Sequence, residues 1–253
     1  MTEKTVLIVS PFGGIGKSIT EAYVKREWTI IGIGGESSAE EARKYAENEK
    51  FHFFRADHLN PQGLIEVFKK IRSSHSKIDG FIHLTGGSLI SQNAGTIELS
   101  DYQRVIDLNL TSAFVTGQEA FKWLKEMGGG NLIFFGSTTG LVPSEKKLPY
   151  AVSKAGVHML TRAFALEGAK HGILSNAIAP GYVMTDRHID ELKLKAKKKE
   201  KSYEDVIWEI KKKNPLHGLL MPEDLLPIVD LLLETKTITG EILQVDLGQT
   251  TIY

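Results

Sequence analysis

The chain has 253 residues, of which 42% are hydrophobic and 25% charged, and these values argue against a largely disordered chain. Its 31 basic and 31 acidic side chains give a formal charge of zero, which argues against a surface built to grip nucleic acid. The absence of cysteine excludes disulfides, thiolate catalysis and cysteine-based metal sites. We find neither a secretory signal nor a run of about 18 apolar residues, and therefore expect a cytoplasmic protein without a membrane span.

Short apolar runs recur along the chain, with helical stretches between them. Most runs are continuously apolar, which is typical of strands buried on both faces of a parallel sheet. Their alternation with helices predicts a doubly wound α/β fold, with one sheet of about seven strands and helices on both faces. Such a sheet uses nearly the whole chain, so we expect a single domain over residues 1–253. The runs lie at residues 6–9, 29–33, 51–54, 81–84, 132–135, 173–178 and 241–245.

A glycine-rich turn follows the first run and precedes a helical stretch at residues 18–25. The turn, residues 10–17, reads SPFGGIGK. Glycine at this point lets the backbone approach the phosphates of a dinucleotide, and the helix N-terminus offers N–H groups and a partial positive charge. Glycines also end strands for geometric reasons alone, so the turn by itself leaves both interpretations open.

Polar residues in the central part of the chain suggest chemistry. Asn109 stands inside an apolar helical pattern, where an asparagine on the helix surface is the ordinary interpretation. Ser137 follows the fifth run, at the sheet edge where α/β folds bind ligands. Tyr150 and Lys154 share one face of a helical stretch that runs to about Lys170. A nearby ammonium is expected to lower the pKa of Tyr150 and make it a proton donor near neutral pH; an incidental pair on an exposed helix is the alternative.

Residues 191–213 interrupt this rhythm with nine lysines and five acidic residues. Within them, four apolar residues have the i, i+3, i+4, i+7 spacing of one helical stripe, namely Tyr203, Val206, Ile207 and Ile210. Two interpretations stay open, a solvated surface helix and a mobile flap over an active site. In the second, the excess of lysine favours an anionic substrate.

Taken in order, these features resemble the short-chain dehydrogenases/reductases. The motifs are the glycine turn, Asp57, Asn109, Ser137, Tyr150-x-x-x-Lys154 and Pro180-Gly181. The interval of 13 residues between Ser137 and Tyr150 and the segment NAIAPGYVMT at residues 176–185 are the most specific parts. The resemblance extends from residue 6 to residue 248. It implies a Rossmann-type fold that binds NAD(P) and transfers hydride between a nicotinamide and a carbonyl/alcohol pair.

The resemblance also implies roles for individual residues. Tyr150 would donate a proton to the carbonyl oxygen, and Lys154 would lower its pKa and hold the nicotinamide ribose. Ser137 would bind the substrate oxygen, and Asn109 would position a water in a proton relay to Lys154. The implied cofactor-binding residues are Ser10, Gly14, Ile15, Gly16, Ser37, Asp57, Gly86, Asn109, Tyr150, Lys154, Pro180 and Gly181.

Three departures from the family pattern are visible. The first glycine of the turn is missing, and its place falls on Ser10 or, with a one-residue gap, on Pro11. The usual Asn-Asn-Ala-Gly reads HLTG at residues 83–86, where we interpret His83 as a strand residue. Asp57 is followed by His58 instead of a small apolar residue. The second departure affects the contacts around the adenosine half, and none of the three touches the chemical groups.

The choice of nicotinamide depends on the end of the second strand. An acidic residue there binds the ribose hydroxyls of NAD and repels a 2′-phosphate. Here Glu36 lies a little beyond the strand end, and no arginine accompanies it. Ser37 or Ser38 can donate to a phosphate, or can cap the next helix in a capping box with Glu40 and Glu41. We expect a preference for NADP(H).

We therefore expect an NAD(P)-dependent oxidoreductase acting on a small carbonyl or alcohol, acyl thioesters included, with the 3-oxoacyl-[acyl-carrier-protein] reductases as the nearest subgroup. A catalytically silent nucleotide-binding regulator on the same fold is the alternative. An atypical enoyl-thioester reductase is disfavoured, because six residues separate its tyrosine and lysine. We expect no metal ion and no nucleic acid partner, and a homotetramer or homodimer paired through the helical stretches 101–127 and 150–170. Residues 182–213 are interpreted as a substrate-loop or lid insertion.

Overall fold

All seven predicted strands are present in the computed structural model, which describes residues 3–252. They form one parallel sheet in the order β3-β2-β1-β4-β5-β6-β7, which confirms the doubly wound α/β prediction and is the strand order of a Rossmann-type fold. The strands are β1 Thr5–Val9, β2 Thr29–Gly34, β3 Phe51–Arg55, β4 Gly80–His83, β5 Gly130–Phe135, β6 Ile173–Pro180 and β7 Ile242–Val245.

Helices connect the strands and cover both faces of the sheet. They are α1 Gly14–Lys25, α2 Glu36–Ala42, α3 Pro61–Ser74, α4 Leu99–Ile106, α5 Ser112–Glu126, α6 Leu148–Gly168, α7 Asp186–Lys198, α8 Tyr203–Lys211 and α9 Leu226–Glu234. A π-helical turn, Asp107–Thr111, joins α4 to α5. Across residues 3–252, no helix combines the length and apolarity that a membrane crossing requires.

The continuous apolar strands arise because alternate side chains enter two different cores. In β1, Leu7 and Val9 pack in one core layer with residues of α3, α5 and α6, whereas Val6 and Ile8 pack in the other with residues of α1 and α9. Successive side chains of a strand point to opposite faces, so both faces demand apolar residues. Because the strands are parallel, their carboxyl ends meet at one edge. The strand order reverses between β1 and β4, which leaves a crevice at that edge.

Residues 182–213 are mostly helical. Helices α7 and α8 enclose a small apolar cluster of Met184, Leu192, Ala196 and Val206. Tyr203, Ile207 and Ile210 pack against this cluster, as their helical spacing predicts. The lysines at the end of α7, Lys197 and Lys198, are exposed, with Lys199 beside them.

Two local predictions are wrong. The helix after β2 begins at Glu36 and has Gly35 at its N-cap without a side-chain hydrogen bond, so neither Ser37 nor Ser38 caps it. Both serines lie in the first turn instead, because the helix starts directly after the strand. Helix α1 likewise begins at Gly14 and not near Ser18, because Gly14 and Gly16 already belong to the helix.

Candidate active site

The three departures from the family pattern lie in one hydrogen-bonded group. Ser10 has a φ of 67°, the left-handed conformation that favours glycine, at the position where the ungapped pattern expects one. Its Oγ lies 2.7 Å from Thr85 Oγ1 and 3.2 Å from His58 Nε2. The left-handed conformation costs a non-glycine residue about 1–2 kcal/mol, and these two contacts offset that cost. The ends of β1, β3 and β4 are thereby tied together at the edge of the crevice.

The residues of the glycine turn fit a dinucleotide. A Cβ on Gly16 would overlap the Ser10 carbonyl oxygen, and one on Gly14 would lie 2.6 Å from Thr185 Cγ2, so neither position has room for a side chain. Between them, Ile15 packs against the core and anchors the turn. The N-terminus of α1 carries neither a side-chain cap nor an acidic residue in its first turn. Its N–H groups therefore suit a pyrophosphate.

Other residues assigned to the cofactor lie along the same sheet edge. Asp57 is exposed after β3, where its carboxylate accepts the Leu59 N–H at 2.9 Å. Pro180 ends β6, and the Gly181 N–H donates to the Val245 carbonyl at 3.0 Å. A Cβ on Gly181 would lie 2.9 Å from Asp246 Cβ, so the chain turns there only with glycine.

Strand pairing places an arginine of β3 beside the end of β2, although the second strand itself contains none. Register pairs Gly34 of β2 with Arg55 of β3, and the Arg55 guanidinium lies 2.7 Å from the Glu36 carboxylate. Both side chains are largely exposed, as is Ser37 beside them. The end of β2 thus presents both charges to the crevice edge.

Lys154 is the buried cation of the site. The residue is 3% exposed, and its Nζ donates to the Phe135 carbonyl at 2.7 Å. Burial lowers the pKa of Lys154 to about 8, because desolvation disfavours the ammonium. Its Nζ lies 5.8 Å from the centre of the Tyr150 ring, consistent with the predicted shared helix face.

The pKa of Tyr150 differs from the sequence expectation. Desolvation by the surrounding protein raises the pKa of Tyr150, and the nearby Ser137 side chain and the Arg187 guanidinium oppose that rise without overcoming it. Lys154 is not among the groups that lower the pKa of Tyr150; its ammonium donates to the Phe135 carbonyl instead. In this structure the phenol is therefore held in its protonated form.

Asn109 is buried, so the interpretation as a helix-surface residue is wrong. It lies in the π-helical turn, a feature common at functional sites. Its Nδ2 donates to the Val105 carbonyl at 2.8 Å and the Gly87 carbonyl at 3.0 Å, and its Oδ1 accepts the Gly87 N–H at 3.0 Å. A Cβ on Gly86 would lie 2.6 Å from Asn109 Oδ1 and 2.8 Å from Lys154 Nζ. Asn109 and Lys154 thus converge on Gly86, where only glycine fits.

Comparison with known proteins identifies the family. The profile of the short chain dehydrogenases matches residues 4–194. The chain belongs to the short-chain dehydrogenase family. It is accordingly an NAD(P)-dependent oxidoreductase, with the Rossmann-type fold described above.

Three relatives show the range of this similarity. Glucose 1-dehydrogenase 2 of Bacillus subtilis is 28% identical over 99% of this chain and 96% of its own length. The 3-oxoacyl-[acyl-carrier-protein] reductase of Rickettsia felis is 30% identical over 98% and 97%. The crystal structure of a putative gluconate dehydrogenase from Agrobacterium tumefaciens has a TM-score of 0.87 at 28% identity, covering 99% of this chain and 97% of that one.

Most of the predicted site residues of this short-chain dehydrogenase lie at one edge of the sheet, and further residues lie beside them. His83 is a buried residue of β4, as its interpretation as a strand residue predicts, and its Nδ1 lies 3.0 Å from Thr116 Oγ1 of α5. Sequence reasoning missed Arg55, Thr185 and Arg187. Thr185 lies within the segment NAIAPGYVMT, so the sequence motif could have identified it. Arg55 comes near the site only because β3 pairs with β2, and Arg187 only because of the placement of α7.

Proposed function

We propose that this short-chain dehydrogenase interconverts a carbonyl and an alcohol with Tyr150 as the acid/base. The observation that carries the proposal is the side-chain proximity of Ser137 and Tyr150 beside the buried ammonium of Lys154, at the carboxyl edge of the sheet. Reduction builds negative charge on one oxygen, and two hydroxyl donors directed at that oxygen stabilise it.

Each residue has a part in this proposal. NAD(P)H supplies the hydride when bound. Ser137 donates a hydrogen bond to the carbonyl oxygen, and Tyr150 gives that oxygen its phenolic proton, which a raised pKa keeps in place until the charge develops. Lys154 holds positive charge beneath the phenol and binds the nicotinamide ribose. Asn109 fixes the Gly87 backbone and, as the family resemblance implies, positions a water in the proton relay to Lys154.

The altered glycine turn is the observation that favours the alternative, a catalytically silent nucleotide-binding regulator. Ser10, His58 and Thr85 compensate one another in that turn, and the uncapped N-terminus of α1 offers its N–H groups to a pyrophosphate. The turn is therefore compatible with a bound cofactor, and we favour the enzyme.

We propose NADP(H) as the preferred cofactor. Arg55 supports this preference, because a guanidinium binds phosphate through paired N–H groups, and the exposed hydroxyl of Ser37 lies on the same turn. Glu36 opposes a phosphate, but its charge is balanced by Arg55 at 2.7 Å.

We propose that the substrate carries an anionic group, with acyl thioesters as one class that qualifies. A cavity of about 280 Å³ lies between α7, α8 and the segment after β7, with Tyr182, Lys195 and Lys213 in its wall. Two carboxylates also line it. Asp246 accepts hydrogen bonds from the Gly248 and Thr250 backbone, and Glu191 pairs with Arg187. Both carboxylates are thereby engaged, and so is Lys195, which pairs with Glu209 at 3.6 Å. Lys213 is therefore the residue that we assign to the anion.

We further propose a single domain over residues 1–253, in which residues 182–213 act as the substrate loop. The position of the cavity against α7 and α8 supports that role. A cytoplasmic location belongs to the same proposal, because a chain without cysteine suits a reducing compartment.

A substrate panel tests the function. Neutral ketones, sugars, sugar acids and acyl thioesters are assayed with NADH and with NADPH by nicotinamide absorbance, using wild type, Lys213→Gln and the matched helix-end variant Lys198→Gln. We expect turnover with a higher kcat/KM for NADPH, and a loss in Lys213→Gln confined to anionic substrates. Equal losses in the two variants would contradict the cavity assignment. Cofactor binding without turnover across the panel would favour the regulator.

A further inference from the structure

His158 lies directly beneath the strand end that carries Ser137. It follows Lys154 by one turn of α6 and is 5% exposed. Its ring occupies the space left by two glycines: a Cβ on Gly136 would overlap Nε2, and a Cβ on Gly140 would lie 2.9 Å from Cε1. The chain between β5 and α6 is thus shaped around this imidazole.

The imidazole contacts Ser137 through one hydrogen bond. The Ser137 N–H donates to His158 Nε2 at 3.3 Å, so Nε2 is the unprotonated nitrogen of the ring. Desolvation, together with the positive charges of Lys154 and Arg162, lowers the pKa of His158 to about 4. His158 is therefore neutral near pH 7 and keeps its acceptor.

The other ring nitrogen indicates that packing alone does not account for a histidine at this position. His158 Nδ1 is buried and has no hydrogen-bond partner among the described residues. A buried donor without a partner lowers stability, and an apolar side chain of similar size would avoid that loss. The acceptor at Nε2 is the feature that an apolar side chain cannot supply.

We infer that His158 is a positioning residue for Ser137, an inference that rests on the proposed function. Two contacts hold the serine: its N–H is bound by His158 Nε2, and its Oγ accepts the Thr139 N–H at 3.1 Å. With the backbone fixed and one side of the oxygen occupied, the Ser137 hydroxyl proton is directed to a substrate oxygen. His158 itself touches neither substrate nor cofactor in this role.

The test compares His158→Leu, which removes the acceptor, with His158→Gln, whose carbonyl oxygen can restore it. For His158→Leu we expect kcat to fall by roughly tenfold to a hundredfold, because small displacements of a catalytic group have such effects. Its Tm should be unchanged or higher, and its Kd for NADPH unchanged by fluorescence titration. His158→Gln should recover most of the lost kcat. If the leucine variant does not fold, His158→Met serves the same comparison.

A double variant separates this inference from the proposed function. On a Ser137→Ala background, adding His158→Leu should lower kcat little further, because the two residues act through one group. Full activity in Ser137→Ala would overturn the proposed function. A large loss in Ser137→Ala with wild-type kcat in His158→Leu would overturn the inference alone. A lowered Tm together with parallel losses in kcat and cofactor affinity would also overturn it, because it would make His158 a packing residue.

Discussion

At the scale of a single residue, the buried ammonium of Lys154 lowers the stability of the folded protein and gives the candidate site a positive charge. Its ammonium is almost fully buried and is hydrogen-bonded to one carbonyl, that of Phe135. Burial lowers its pKa from 10.5 to about 8, so the folded state releases this proton before the unfolded state does. Below pH 8 the folded protein bears the full cost of burying the charge, and above pH 8 that cost declines.

The pH dependence of stability tests this account. Between pH 8 and pH 10 the unfolded state binds more protons at Lys154, so the free energy of unfolding of wild type should rise relative to that of Lys154→Met. The expected gain is on the order of 2 kcal/mol. Urea denaturation of both proteins at pH 7 and pH 10 measures it, and a difference that stays constant would contradict the lowered pKa. Near pH 7 the variant should also lose activity and cofactor affinity.

Several site residues could not be predicted from the sequence, and the reason is the same for each. Tyr150, Lys154 and Ser137 are separated by intervals that a motif preserves, so their proximity was predictable. Arg55 is adjacent to Glu36 only because β2 and β3 pair in register. The pKa of Tyr150 was predicted in the wrong direction, because desolvation depends on neighbours that are distant along the chain.

At the scale of elements, the strands were predictable and the helix starts were not. A strand buried on both faces is continuously apolar, and seven such runs became seven strands. Where a helix starts depends on the backbone geometry of one or two residues. Glycines at that point make the start hard to locate from the sequence, as at α1 and α2. The π-helical turn at Asn109 leaves no pattern in the apolar spacing, and so the buried asparagine resembled a surface residue.

The glycine turn provides an element-scale prediction with a matched control. Gly16→Ala should lower the affinity for NADPH by more than roughly tenfold, because the new Cβ overlaps the Ser10 carbonyl and displaces the turn. Gly13→Ala should change it little, because its Cβ would meet nothing nearer than 3.8 Å and its φ of −72° suits alanine. Fluorescence titration gives both affinities. Equal affinities in the two variants would show that the turn does not bind the pyrophosphate.

At the scale of the whole molecule, one face of α6 is more apolar than an exposed surface requires. Leu148, Val152, Met159 and Leu166 are exposed at intervals of four and seven residues, and Leu166 is 82% exposed. Phe114 of α5 is also exposed. Contiguous apolar surface of this kind is typical of a protein–protein interface. We propose that a second copy of the chain covers it, in a homodimer or homotetramer.

Sedimentation tests this assembly. Wild type should have a mass of two or four times 28.0 kDa, and Leu166→Glu should shift it toward the monomer, because a carboxylate would be buried at the interface. Leu194→Glu is the control, since Leu194 is an exposed leucine of a different helix, α7. A wild-type mass of 28.0 kDa at micromolar concentration would contradict the proposal.

The central claim is that Tyr150 is the proton donor of a hydride-transfer site, and Tyr150→Phe tests it most directly. Phenylalanine keeps the ring beside Lys154 and removes only the hydroxyl. On any substrate that the panel yields, kcat should fall by at least roughly a hundredfold, the usual contribution of a general acid. The Kd for NADPH, measured on the same preparation, should stay within a few-fold of wild type. Turnover within a few-fold of wild type would contradict the claim.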